Sequence, residues 1–152
     1  MTLFDLIRGR LVLPSLSADD KTAAIAELVD FMISEGEVQT TQRGAVLDAA
    51  YDREQVRSTG IGYGVAIPHG VTDAVSEEVV AIGISRKGVP FDSVDSQPAH
   101  IVILILTPLS KALTRVRTLA AIARLVRDAD TRRRLAQTAS REAALQVLGS
   151  VS

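Results

Sequence analysis

Apolar positions along the chain follow two periods. Ile25, Leu28, Val29, Met32 and Ile33 recur at the spacing of one helix face. Ser17 reads as the N-cap of that helix, with Asp20 at the capping-box position and Gly36 closing it. Val46, Leu47, Ala50 and Tyr51 predict a second helix over about 41–53. Leu11-Val12-Leu13 is a short strand stopped by Pro14, and residues 79–85 form another. Residues 101–107 are apolar on both faces, as a central strand covered by two layers is, and Pro108 ends them. A long helix over about 111–127 follows, with shorter ones near 130–137 and 141–148. Helices alternate with buried strands, so the expected class is α/β, a three-layer sandwich of one β-sheet flanked by helices on both faces. A single domain over residues 1–152 is expected, since no linker or repeat divides the chain.

Between the second helix and residue 79 the pattern breaks. Ser58-Thr59-Gly60-Ile61-Gly62-Tyr63-Gly64 carries three alternate glycines, each costing about 1 kcal/mol in a helix interior. This is a glycine-rich loop or irregular strand, running into Val65-Ala66-Ile67, which Pro68 ends. His69 follows.

Composition removes several function classes. At 47% hydrophobic and 23% charged, the 152 residues match a globular domain. The 17 basic and 18 acidic side chains leave a net charge of -1, unlike a nucleic-acid binder, and 3% aromatics cannot supply base-stacking rings. Without cysteine there is no disulfide and no thiolate metal site. His69 and His100 lie too far apart in sequence to suggest zinc, so no metal and no cofactor is expected. The N-terminus lacks the charged-then-apolar order of a secretory signal, and no apolar run approaches the roughly 20 residues of a membrane span. A cytoplasmic protein is expected. Gly60-x-Gly62-x-Gly64 has the wrong spacing for a dinucleotide site and leads into a strand. Walker A and Gly-x-Ser-x-Gly sequences are absent.

What remains is His69. A histidine is neutral and nucleophilic near pH 7 and can be phosphorylated on nitrogen. Phosphoryl transfer needs little beyond that nucleophile, donors for three oxygens and in-line positioning. Ser58, Thr59 and nearby backbone N–H groups can supply donors, and Arg53 a charged fork. Each has a plainer alternative. His69 would be a structural strand-end residue, Arg53 a helix C-cap, and Ser58 and Thr59 turn formers. His100 reads as structural and Arg132-Arg133-Arg134 as a solvated helix face.

The run Arg53-Glu54, Ser58-Thr59-Gly60-Ile61-Gly62 and Ala66-Ile67-Pro68-His69 resembles the type 2 EIIA domains of the phosphoenolpyruvate-dependent phosphotransferase system. These form the fructose, mannitol and nitrogen-regulatory branch. Looser agreement extends over nearly the whole chain. The resemblance implies a mixed sheet between helices. It implies that His69 accepts a phosphoryl group from HPr or a similar carrier and passes it to an EIIB domain, with Arg53 near that group. It implies no nucleic-acid partner, and a membrane only indirectly, through a transporter. Such domains commonly carry a second histidine at the start of the long helix; here that position is Arg115.

At 100° per residue Arg115 shares a stripe with Leu119, Ile122 and Val126, on the apolar face of its helix. It is therefore expected to face His69 and bind phosphoryl oxygens bidentately, to hold His69 in a phosphate-free state, or to pair with an aspartate. Ile61, Tyr63, Val65 and Ile67 are candidates for an apolar rim on which partners dock. Three readings stay open: a transport phosphocarrier, a stand-alone regulator acting through its phosphorylation state, and a binding module that has lost phosphotransfer. A small-molecule enzyme has no second catalytic group to support it.

Overall fold

The computed structural model describes residues 3–7 and 11–150. The other residues of the expected 1–152 domain lie outside the described set. The elements are α1 (Leu3–Leu6), β1 (Val12–Leu13), α2 (Lys21–Ser34), α3 (Arg43–Val56), β2 (Gly60–Gly62), β3 (Val65–Ala66), β4 (His69–Val71), β5 (Val79–Val89), β6 (Ala99–Thr107), α4 (Ala112–Arg127), α5 (Ala129–Ala136) and α6 (Arg141–Gly149). Single 3-10 turns at Thr40–Gln42 and Leu109–Lys111 lead into α3 and α4.

One mixed sheet runs β1-β5-β6-β3-β2, with β4 also paired to β6. β5 and β6 are antiparallel, whereas β1 is parallel to β5, and β3 and β4 are parallel to β6. Helices α2 and α3 pack on each other and on the sheet; α4, α5 and α6 form the other helical group, joined by α1. Residues 79–85 and 101–107 are buried throughout, because both faces of the central strands are covered. The α/β three-layer expectation holds.

Local differences have local causes. α2 is capped by Asp20, whose Oδ1 accepts from Ala23 N–H at 2.8 Å, and not by Ser17. The Ser17 N–H and hydroxyl are instead taken by the Glu27 carboxylate. β5 runs four residues past its expected end. Pro68 interrupts a strand rather than ending it: Val65 lies opposite Ile101 and His69 opposite Ile105, one register across the break. The prolyl ring removes an N–H, yet Pro68 still accepts from Ile105 N–H at 3.0 Å.

Candidate functional site

His69 opens β4 beside the C-terminal half of β6. Gly70 follows it for a steric reason. A Cβ there would lie 3.0 Å from the Ala49 carbonyl carbon and the Ala50 nitrogen, so only glycine lets α3 cross β4 this closely. That approach brings the last turn of α3, with Arg53 and Glu54, up to the histidine.

The His69 ring is half-buried, and its Nδ1 lies 2.8 Å from the Ile67 carbonyl oxygen. A carbonyl only accepts, so Nδ1 carries the hydrogen and Nε2 keeps its lone pair. Burial pushes the imidazole below its ordinary pKa range. The Ile67 hydrogen bond opposes this, Arg53 and Arg115 add to it, and Glu54 opposes it. The ring is thus a neutral imidazole at pH 7, with two cations close enough to act on it.

The other expected residues divide. Arg53 donates one N–H to the Arg57 carbonyl at 2.8 Å, closing the chain after α3, and keeps its remaining donors. Arg115 is half-buried in α4. The buried line of that helix is Thr118, Ala121, Ile122 and Leu125, and Arg115 stands three and seven residues before Thr118 and Ile122, at the N-terminal end of that line. Ser58 and Thr59 have their hydroxyls turned elsewhere. Ser58 Oγ donates to the Phe91 carbonyl and accepts from Gly60 N–H at 3.0 Å. Thr59, 4% exposed, donates from Oγ1 to Glu54 Oε1 at 2.5 Å. Both shape the loop under the histidine.

The chain matches, over residues 5–151, the model of the family described as phosphoenolpyruvate-dependent sugar phosphotransferase system, EIIA 2. It belongs to that family. Members are phosphotransferase components phosphorylated on histidine. A fructose-specific EIIA component of Haloferax volcanii is 37% identical over 86% of this chain and 84% of that protein. A nitrogen regulatory protein of Bradyrhizobium diazoefficiens is 32% identical over 97% of this chain and 95% of that protein. Among solved structures, the nitrogen regulatory protein IIA-Ntr of Neisseria meningitidis superposes with a TM-score of 0.80 at 26% identity, covering 92% of this chain and 93% of that one.

Within this EIIA fold the expected docking rim needs correction. Val65 is 1% exposed and Ala66 0%, so both faces of β3 are covered. Tyr63 is 68% exposed but sits in the β2–β3 turn, level with the start of β6, whereas His69 is level with Ile105. Six residues of strand, about 20 Å, separate the two levels. Its ring is covered by Arg132, 4.8 Å from the centroid, so Arg132 is not simply solvated. Ile61 is at the edge of exposure and Ile67 is partly buried. The large exposed apolar side chains near the site are instead Val71 on β4 and Leu109, Leu113 and Val116 at the start of α4, the segment that carries Arg115. His100 is structural: its Nδ1 lies 2.8 Å from the Ser85 carbonyl oxygen.

Glu54 was missed by the sequence reading. It is 6% exposed, and its carboxylate accepts from Thr59 N–H at 3.0 Å, from Thr59 Oγ1, and from Lys21 Nζ at 3.5 Å. A signal was present. Leu47, Ala50 and Glu54 lie at i, i+3 and i+7, so the acid falls on the buried stripe of its helix.

Proposed function

We propose that this chain is a phosphocarrier in which His69 Nε2 accepts a phosphoryl group from the phosphohistidine of an HPr-like protein. The Nε2 lone pair forms the new N–P bond as the donor's N–P bond breaks, and the donor imidazole leaves with that electron pair. A second transfer of the same kind hands the group to a cysteine or histidine of an EIIB-type acceptor. The observation that carries this reading is the Nδ1 contact to the Ile67 carbonyl, which leaves Nε2 unprotonated beside two arginines. Arg53 and Arg115 bind the phosphoryl oxygens, and the guanidinium at 115 does so bidentately where a second histidine would offer one donor. Ser58 and Thr59 support the site by holding its loop. Donor and acceptor dock in turn over Leu109, Leu113, Val116 and Val71, through a small contact suited to transient exchange. The relay draws on phosphoenolpyruvate, an intracellular metabolite, which makes the proposed location the cytoplasm; a membrane is reached only through a transporter.

The test is to incubate the protein with phosphoenolpyruvate, Enzyme I and an HPr and read its intact mass before and after mild acid. One acid-labile phosphoryl group, absent in His69→Ala, is expected. No phosphorylation by carriers of either the sugar or the nitrogen type would refute the proposal. Arg115→Ala slows transfer about tenfold or more if its fork holds the group; unchanged rates remove it from the site.

A regulatory use of the same chemistry is supported by the nitrogen regulatory relatives that span nearly all of this chain. A phosphoryl group adds about -1.5 to -2 charge at the docking face and changes partner affinity directly. Pull-downs with His69→Asp and His69→Ala separate the two uses. A regulator retains a charge-dependent partner beyond HPr and EIIB, and a pure transport carrier does not. No feature of the site favours a module that has lost phosphotransfer.

A further inference from the structure

The ladder between β2 and β3 is half-open beside the histidine. Gly60 pairs with Ala66, so Thr59 and Ile67 face each other next along the antiparallel pair. Residues in a hydrogen-bonded antiparallel pair exchange two N–H···O bonds. Here only one forms: Ile67 N–H donates to the Thr59 carbonyl at 3.0 Å. The reciprocal donor, Thr59 N–H, is turned to Glu54 Oε2 at 3.0 Å. The Ile67 carbonyl, which would have accepted it, accepts His69 Nδ1–H at 2.8 Å instead.

We infer that Glu54 is a positioning residue that sets the tautomer of His69. By drawing the Thr59 N–H out of the ladder, its buried carboxylate leaves the Ile67 carbonyl to the imidazole, and so keeps the hydrogen on Nδ1 and the lone pair on Nε2. The carboxylate is well placed for this. It takes both the N–H and the hydroxyl of Thr59, one on each oxygen, and Lys21 steadies it from α2. Without it the Thr59 N–H would be a buried donor in need of an acceptor, and the nearest in the ladder is the Ile67 carbonyl. The ring would then share that carbonyl and populate the Nε2–H tautomer, which has no lone pair to offer phosphorus.

The inference rests on the reading of His69 Nε2 as the phosphoryl acceptor, but its test does not. Long-range proton–nitrogen NMR of His69, at a pH where the ring is neutral, reads the tautomer directly. Wild-type protein is expected to show protonated Nδ1 and bare Nε2. Glu54→Ala is expected to move both nitrogens toward the averaged pattern of a free imidazole. In that variant single-turnover phosphoryl transfer should fall about tenfold or more, within the roughly 10⁴-fold that a wrong tautomer can cost. Glu54→Gln removes the charge and keeps an oxygen acceptor for Thr59 N–H. It should retain the wild-type tautomer, which distinguishes position from charge. Glu54→Leu fills the same volume without an acceptor and is read like Glu54→Ala if the alanine variant does not fold. Two results overturn the inference: a wild-type ring protonated on Nε2, or a Nδ1–H tautomer undiminished in Glu54→Ala or Glu54→Leu. Failure of the carrier reading looks different, since the tautomer shift would appear while no phosphoryl group is ever taken up.

Discussion

Thr59→Val separates two uses of one hydroxyl. The sequence offers Thr59 as a donor to the phosphoryl group; the structure commits its hydrogen to Glu54. Thr59 is 4% exposed and its Oγ1 lies 2.5 Å from Glu54 Oε1, itself on a side chain only 6% exposed. Valine keeps the shape and deletes only the O–H. Glu54 retains the Thr59 N–H at 3.0 Å and Lys21 Nζ at 3.5 Å, so the carboxylate loses one donor of three. A hydrogen bond to a charged group is worth about 1.5–3 kcal/mol, and a methyl beside a carboxylate returns nothing. The variant should be about 2 kcal/mol less stable. In a protein of this size that is a fall in Tm of about 4–8 °C. Urea unfolding should show a lower midpoint at an unchanged slope, the sign of lost stability rather than an altered denatured state. Phosphoryl transfer by the folded variant should stay near the wild-type rate, because the N–H that opens the ladder is untouched. A variant of wild-type stability whose transfer is slowed tenfold would refute this reasoning and return the hydroxyl to the phosphoryl group.

Further predictions concern protonation and packing. His69 should titrate below its reference pKa of 6.5 in an NMR pH series, and closer to it in Arg53→Ala; a wild-type midpoint at or above 6.5 contradicts the burial argument. The linkage has a definite sign. As pH falls from 6.5 toward the lower folded value, the unfolded chain binds the proton first, so His69 withdraws stability over that window and restores it as pH rises. Gly70→Ala must push α3 away from β4, at about 1–3 kcal/mol, and should slow transfer as well; a variant with unchanged Tm and rate would mean that α3 approaches less closely. Glu78, 9% exposed, accepts from Thr107 Oγ1 at 3.0 Å and from the Thr118 hydroxyl of α4. Calorimetry of Glu78→Ala should show a loss of about 1–3 kcal/mol as the buried Thr107 hydroxyl loses its acceptor while Thr118 keeps the Thr114 carbonyl at 3.1 Å, and a loss under about 0.5 kcal/mol would count against that bridge.

Periodicity made the long elements legible. The spacing of Ile25 to Ile33 and the unbroken apolar run of β6 each need only one environment to be recognised. The errors arose where tertiary partners choose between equal local options. Ser17 and Asp20 are both good caps, and Glu27, a turn and a half into α2, decided between them by taking Ser17. Val65 falls off the expected rim because it and Ala66, on opposite faces of β3, are both buried: both faces of that strand are covered. On α4 the expected stripe of Arg115, Leu119, Ile122 and Val126 keeps Ile122 fully buried and Leu119 and Val126 partly so, while Thr118 and Leu125 complete the buried line. The motif singled out His69 and Arg53, which the fold brings within electrostatic reach of each other. It did not tell the hydroxyls' structural work from a chemical one, because both uses need the same residue types at the same spacing.

The last turn of α3 explains why Arg and Glu stand side by side at 53 and 54. Consecutive helical residues diverge by about 100°, so one turn presents two faces. Glu54 falls on the buried stripe and reaches Thr59; Arg53 falls beside it, half-exposed, within electrostatic reach of the imidazole. One rigid element thereby delivers a fixed charge near His69 and the acceptor that takes the Thr59 N–H away from the Ile67 carbonyl. The two effects oppose each other on the proton, since Arg53 disfavours an imidazolium and Glu54 favours one. They do not compete for the lone pair, because Arg53 favours the neutral ring while Glu54, through Thr59, leaves that ring's hydrogen on Nδ1. Gly70 is the contact through which α3 keeps its place over β4, so displacement there disturbs the charge and the tautomer together. A substitution at 53 disturbs the charge alone.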